Sequence, residues 1–279
     1  MVGAWRQDGS LIGCVVNYAC HGTCGGNANA DWIHYLQDGV RKFMGADTGI
    51  VFLNGACGDV TQVNNQAPGV DFGDKVSREL GTRIAAETVK VLAGAEPEKY
   101  GTLNARSKTL RIKRRRLSPE NLRRSLEIVA ATPPGQISTE FDFAKEKVLY
   151  DYVYSMYPEA ELNLTAIQIG SAVFLSNPAE FFCQLGLDIK TQSNFDYTFV
   201  VSLANGAAGY VPTPESFRAS GGGYETILTS YSNLMPEAGD IIVGESVALA
   251  TGLSPEQLPE VPWKPGSVWD YGARGPELE

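Results

Sequence analysis

Gly13-Cys14-Val15-Val16-Asn17-Tyr18-Ala19-Cys20-His21-Gly22-Thr23 is the stretch that decides how this chain is read. Small and β-branched residues run up to a histidine that is followed at once by glycine, the pattern of a buried strand feeding a loop. Open α/β sheets collect ligands outside the carboxyl ends of their strands, so an imidazole at such a point is placed for chemistry. The chain has two histidines, His21 and His34, and an imidazole site must use one or both. A single histidine at a strand end is more commonly a packed rim residue, so the rest of the chain has to move the balance.

Immediately downstream, residues 31–44 place Trp32, Tyr35 or Leu36, Val40 and Phe43 at helical spacing, with Asp31 suited to the first turn. His34 falls on the first turns of that helix with no partner at a matching offset, and reads as a surface or packing residue. Residues 49–54 form a second buried strand that ends in Gly55-Ala56-Cys57-Gly58-Asp59-Val60-Thr61. Parallel pairing of these two strands puts His21, Asp59 and Thr61 on one rim.

Further along, a helix over 73–93 carries Val76, Leu80, Ile84, Thr88 and Val91 or Leu92 on one face. Residues 101–112 alternate as a strand and run into Arg111-Ile112-Lys113-Arg114-Arg115-Arg116, a solvated strand end rather than a nucleic-acid contact, since no aromatics are interleaved. Ser118-Pro119-Glu120 opens a helix with a capping hydroxyl and an early proline, and another helix covers 141–156. Residues 162–176 read as a hairpin turning at Gly170-Ser171. Pro178 ends its second strand, and Glu180 opens a helix to about Lys190, where the helix N-terminus alone would account for a carboxylate. A last buried strand over 197–204 leads to Tyr210. Separate strand ends thus carry His21, Asp59 or Thr61, Glu180 and Tyr210, a pattern that packing alone does not explain.

With 279 residues, 43% of them hydrophobic and 20% charged, the chain can bury a full core. It reads as one domain over 1–252 and a Pro-rich surface tail over 253–279 that includes Trp263 and Trp269. The net charge of -9 argues against nucleic acid or an anionic membrane as the main partner and favours a small or amphiphilic substrate. No apolar run is long enough to span a bilayer, and the first residues lack the apolar core of a signal peptide, so no transmembrane segment or export address is expected. The five cysteines, Cys14, Cys20, Cys24, Cys57 and Cys183, are too sparse for a disulfide framework and read as small buried thiols, with a single bridge left open. Cys20 and Cys24 flank His21, yet no second pair completes a closed four-ligand zinc set. A thiol enzyme using Cys20 or Cys57 with His21 is a further reading.

The chain resembles the neutral/alkaline, non-lysosomal ceramidases. The resemblance is carried by Asn17-Tyr18-Ala19-Cys20-His21, by Asn54-Gly55-Ala56-Cys57-Gly58-Asp59-Val60-Thr61, by Pro178-Ala179-Glu180-Phe181, and by residues 203–213 followed by Gly223-Tyr224-Glu225-Thr226. It implies a zinc ion held by two histidines, a glutamate and a tyrosine, and hydrolysis of the amide bond of an N-acyl sphingoid base. His21, Glu180 and Tyr210 fall on three of those metal ligands, and Tyr224 falls on a tyrosine that assists the reacting carbonyl. Asp59 would orient a ligand or a water, and Thr61 would hydrogen-bond substrate or water.

Two departures from the family pattern stand out. The upstream His-Thr-His-Ser-Gly-Pro type segment that carries the other zinc histidine has no counterpart, and His34, in the following helix, is a poor substitute. On that reading the chain is N-terminally incomplete, and it also lacks the immunoglobulin-like C-terminal domain of larger relatives. Thr61 stands where characterised ceramidases have serine. The expectation is therefore an α/β domain layered around a mixed sheet with flanking helices, acting as a zinc-dependent amidohydrolase on a ceramide-like lipid amide. The alternative is a non-catalytic binding or remnant domain that keeps the fold without a complete zinc site. Association into a homo-oligomer, with a partner chain donating a ligand, is one way to complete the set.

Overall fold

Strand β1 (Val2–Trp5) pairs antiparallel with β2 (Leu11–Tyr18), and helix α1 (Asp31–Met44) then carries the chain over so that β3 (Gly49–Asn54) lies parallel to β2. A parallel pair needs such a crossover, and the apolar stripe of α1 supplies the cover. This architecture comes from a computed structural model that describes residues 1–26, 28–69, 71–97, 101–257 and 276–279. Cys14 lies opposite Ile50 and Tyr18 opposite Asn54, as expected for the parallel pair. Trp32, Leu36 and Val40 are fully buried against Cys14, Val16 and Ile50. Phe43, expected on that stripe, is 77% exposed. The buried row advances in steps of four and ends on the partly buried Met44, which turns Phe43 out to solvent.

Helix α2 (Asp74–Ala93) packs along α1, but through Ser77, Gly81, Ala85 and Thr88. Val76, Leu80 and Ile84, expected on the buried face, are only partly buried. Small side chains allow the two helix backbones to approach closely, and this geometry outranks side-chain size in setting the contact row.

The second layer begins with β4 (Leu103–Lys113), followed by α3 (Pro119–Ala131) and α4 (Thr139–Met156). Ser118 and Ser138 cap these helices, accepting from the backbone N–H of Asn121 at 3.2 Å and of Phe141 at 3.1 Å. Strands β5 (Glu159–Ile169) and β6 (Ala172–Ser176) form the expected hairpin. The short β7 (Glu180–Phe181), α5 (Cys183–Gln192), β8 (Tyr197–Val201), β9 (Tyr210–Val211) and α6 (Ala238–Thr251) complete the order. Strands run β4-β5-β6-β8 in one sheet, with α5 and α6 burying Leu185, Ile189 and Ile242 against Leu162, Leu164, Val173 and Leu175.

The α/β class holds, while the mixed sheet is divided among a three-stranded, a four-stranded and a two-stranded sheet. At the seam Asn17 donates its side-chain amide to Leu53 O at 3.1 Å and Val200 O at 2.9 Å, and Ser202 N–H donates to Asn54 O at 3.0 Å. A side chain stands there where a backbone ladder would continue, so β3 and β8 meet at their carboxyl ends. All five cysteines are free thiols. Among the described residues no helix is long and apolar enough to cross a membrane. Most of the expected tail, residues 258–275 with Trp263 and Trp269, lies outside the described residues.

Candidate metal centre

The loops after β2 and β3 are zipped together beyond the strands themselves. Gly55 N–H donates to Tyr18 O at 2.9 Å, and His21 N–H donates to Val60 O at 3.0 Å. The imidazole follows its own backbone, with Nδ1 3.1 Å from the same Val60 carbonyl. Trp32 Nε1 donates to His21 O at 3.0 Å, fixing the loop from the side of α1. His21 is thereby oriented by three contacts from two segments, the loop after β3 and helix α1.

Glu180 arrives by a different route from the one its sequence suggests. The helix does not begin at Glu180. Residues 180–181 are strand β7, which pairs in parallel with β9 so that Glu180 lies opposite Tyr210, and α5 starts at Cys183. Two further hydrogen bonds brace this small sheet, Gly58 N–H to Phe181 O and Tyr210 N–H to Tyr231 O, both at 2.8 Å. These backbone partners, three residues beyond the helix signal, outweigh the local preference for a helix start. At Gly58 a Cβ would lie 2.4 Å from Glu180 O, so the approach that delivers the carboxylate requires glycine. Gly209 plays the matching part before Tyr210, with φ at 81° and the Tyr231 carbonyl 2.1 Å from where a Cβ would stand. Gly58→Ala is expected to lower stability by about 1–3 kcal/mol through overpacking. A urea midpoint equal to that of the unsubstituted protein would show that the contact is not tight.

The result is a contact between His21 Nε2 and Glu180 Oε2 at 3.0 Å, with side chains only 21% and 24% exposed. A carbonyl can only accept, so the hydrogen on Nδ1 points to Val60 O and the lone pair of a neutral ring sits on Nε2. A lone pair and a carboxylate oxygen do not rest 3.0 Å apart unless a proton or another cation lies between them. Cys57 and Glu180 beside the ring push its pKa up to about 11, against the opposing effect of burial. The pair is thus built to hold positive charge, and neutral imidazole with a carboxylate is an ordinary zinc donor set. Held by Val60 O, His21 also has the backbone support at its second nitrogen that metal-bound histidines use.

Tyr210 is 8% exposed, and its hydroxyl lies 3.1 Å from that of Tyr224, with the rings edge to face at 5.4 Å. Burial, Tyr224 and Glu180 together push the Tyr210 pKa up, so its oxygen keeps the proton unless a cation beside it offsets the charge. Among the described residues no group of three or more His, Cys, Asp and Glu side chains is placed to hold a metal ion, and the Tyr210 and Tyr224 hydroxyls are the further side-chain oxygens brought to this pair.

His21, Glu180, Tyr210 and Tyr224 are therefore brought together from four segments. Asp59 lies on the same rim, where its Oδ1 accepts from Cys183 N–H at 2.6 Å at the start of α5. Thr61 is exposed and donates to Gln62 Oε1 at 2.6 Å, with Thr23 Oγ1 3.2 Å away. His34 is exposed on α1, against the ring of Tyr35. An apolar cleft of about 730 Å³ lined by Trp5, Leu92, Ile169 and Phe199 lies at the opposite strand ends, and none of the site residues borders it.

Two contributors escaped the sequence. Val60 acts through its carbonyl, which any residue type offers. Arg115 belongs to the basic run expected to be a solvated strand end. Arg114 and Arg115 are instead half-buried, and burial lowers the pKa of both. Their side chains bind the segment that carries Tyr224, with Arg114 donating to Asn233 and Arg115 to Thr226 O and Ser232 O.

The architecture is similar to that of neutral ceramidase from Pseudomonas aeruginosa, with a TM-score of 0.63 at 20% sequence identity over 91% of this chain and 47% of that one. It is similar also to a ceramidase complexed with C2, with a TM-score of 0.62 at 17% identity over 93% of this chain and 49% of that one. The chain spans about half the length of the solved structures it matches. No family model and no curated protein matches the sequence. At the level of the fold, the resemblance read in the sequence is borne out.

Proposed function

We propose that this chain carries the metal-binding side of a zinc-dependent amidohydrolase that cleaves the amide bond of a ceramide-like N-acyl amphiphile. The observation that carries the proposal is the His21–Glu180 contact at 3.0 Å, with Nδ1 already committed to Val60 O and two phenols alongside. In this reading His21 Nε2, a Glu180 carboxylate oxygen and the Tyr210 oxygen hold the zinc. Bound there, zinc supplies Lewis acidity and activates water near neutral pH. The protein's own part is orientation and proton placement. Val60 O fixes the tautomer of His21. Glu180 is held by β7 against Gly58 and β9, which sets the backbone from which its carboxylate enters the site. Tyr224, 48% exposed, offers its hydroxyl from the solvent side, where an incoming carbonyl oxygen gains negative charge as water adds. Asp59 holds the start of α5, which keeps β7 in place.

Hydrolysis of a short-chain fluorescent N-acyl sphingosine, abolished by a chelator and restored by zinc, is the expected result. Absence of turnover with zinc bound would reject the substrate class, and absence of both would reject the reading.

A second reading is favoured by the same contact seen differently. With its pKa pushed up to about 11, His21 can hold the proton between itself and Glu180 at neutral pH, closing the pair as an internal salt bridge. The domain would then keep the fold without metal chemistry. Zinc content separates the two, since a proton-closed pair takes up none.

A further inference from the structure

We propose that Arg115 is the positioning residue for Tyr224: its guanidinium fixes the segment that holds the Tyr224 hydroxyl against Tyr210. The proposal rests on the hydrolase reading for the use made of Tyr224, and it adds the residue on which that use depends.

Tyr224 opens a single 3-10 turn, Tyr224–Thr226, on a loop whose other ordered feature as far as Asn233 is a bridge between Thr229 and Ser232. The loop closes on itself through Thr226 Oγ1 to Gly223 O, Ser232 Oγ to Glu225 O and Asn233 Nδ2 to Thr229 O and Ser230 O, but these bonds join it only to itself and leave its place over Tyr210 to contacts from outside. Arg115 supplies the missing constraint. Its Nη1 donates to Thr226 O at 2.8 Å, and its Nη2 donates to Ser232 O at 2.8 Å and reaches Ser232 Oγ at 3.3 Å. The ring of Phe217 covers the guanidinium, with its centroid 4.9 Å from Cζ. One planar cation thereby hydrogen-bonds two points that follow Tyr224 and stacks on one ring that precedes it. The neighbour of Ser232, Tyr231, accepts the backbone N–H of Tyr210, so the two phenols are referenced to one anchored segment.

The anchor is itself immobilised. Arg115 N–H donates to Asn233 O at 2.7 Å, and the buried Tyr150 donates its hydroxyl to Arg115 O at 2.5 Å. These partners of Arg115 are carbonyls, hydroxyls and a ring, with no carboxylate among them. A cation committed to neutral acceptors is not part of a surface charge network, and charge assistance makes each of those bonds stronger than a neutral one. Lysine offers a point charge rather than a fork and cannot span Thr226 and Ser232 in the same way. None of these contacts involves His21, Glu180 or the Tyr210 side chain, and Tyr210 is held in addition by the pairing of β9 with β7, so zinc content is expected to survive the loss of Arg115.

The test places 3-fluorotyrosine at position 224 and compares the unsubstituted protein with Arg115→Met, Arg115→Lys and the exposed-site control Arg116→Met. Fluorine NMR, zinc content and steady-state hydrolysis of the short-chain N-acyl amphiphile are the readouts. In Arg115→Met the fluorine resonance is expected to move to the solvent-exposed position while zinc content stays unchanged. Its kcat should fall on the order of 100-fold, as expected for misplacement by about 1 Å. KM should stay within about twofold, because ground-state binding is untouched. Arg115→Lys should fall between, and Arg116→Met should change nothing. An unmoved resonance and unchanged kcat in Arg115→Met would overturn the proposal. So would loss of zinc in step with loss of activity in both Arg115 variants, which would make Arg115 a general support of the fold. If the unsubstituted protein hydrolyses nothing, the hydrolase reading falls, and the fluorine resonance alone still decides whether Arg115 holds Tyr224.

Discussion

Glu180→Ala is expected to remove zinc from the protein and with it all amide hydrolysis. The carboxylate contacts His21 Nε2 at 3.0 Å. Without it the remaining donors are one imidazole and a phenol that burial keeps protonated. Losing a ligand outright should lower affinity by more than the 10–100-fold typical of losing an outer partner. Stoichiometric zinc by elemental mass spectrometry in the unsubstituted protein, and none in Glu180→Ala or His21→Ala, is the predicted pattern. Asp59→Asn serves as the contrast. Its side chain still accepts from Cys183 N–H, so stability and zinc content should both be kept. A Glu180→Ala protein that retains full zinc would remove Glu180 from the metal set and leave the His21 contact as a structural pair.

Tyr224→Phe is expected to lower kcat by roughly 100- to 1,000-fold, the usual effect of deleting one well-aimed oxyanion donor. The substitution removes a single oxygen. The ring stays edge-on to Tyr210 at 5.4 Å, and with Tyr224 48% exposed the change should cost less than about 0.5 kcal/mol of stability. Zinc content should therefore be unchanged, which distinguishes this variant from Tyr210→Phe, where both zinc affinity and kcat should fall. If Tyr224→Phe hydrolyses the N-acyl amphiphile at the full rate, the donor to the carbonyl lies elsewhere.

Much of the fold was legible because hydrophobic periodicity is a local signal. The helix over residues 31–44, the strand over 49–54 and the hairpin at Gly170 occur where their patterns place them, and the opening strand, read as running up to His21, ends at Tyr18. The parallel pairing of β2 and β3, which brings His21 and Asp59 to one rim, also followed from order and strand length. Other assignments failed for identifiable reasons. Helical spacing alone puts Phe43 and Val76, Leu80 and Ile84 of α2 on the buried faces, whereas the α1–α2 contact is governed by how closely the backbones approach at Gly81 and Ala85; Thr88 and Leu92 are buried as expected. Arg115 looked solvated because charge runs usually are, and nothing local marks the carbonyls that surround it.

By itself the sequence determined which groups are available for chemistry. With two histidines in the chain and one of them at the glycine-bounded end of a buried strand, His21 is the candidate that the sequence itself singles out. The order of Glu180, Tyr210 and Tyr224 along the chain was equally fixed. Only the tertiary structure decided that Glu180 is a strand residue, that Val60 O sets the tautomer of His21, and that the two phenols meet at 3.1 Å. These facts depend on backbone carbonyls and N–H groups far off in sequence, 39 positions away in the case of Val60, or on glycine-permitted contacts between strands. Backbone groups are common to every residue type, so their partners leave no trace in the sequence and appear only when the chain is folded.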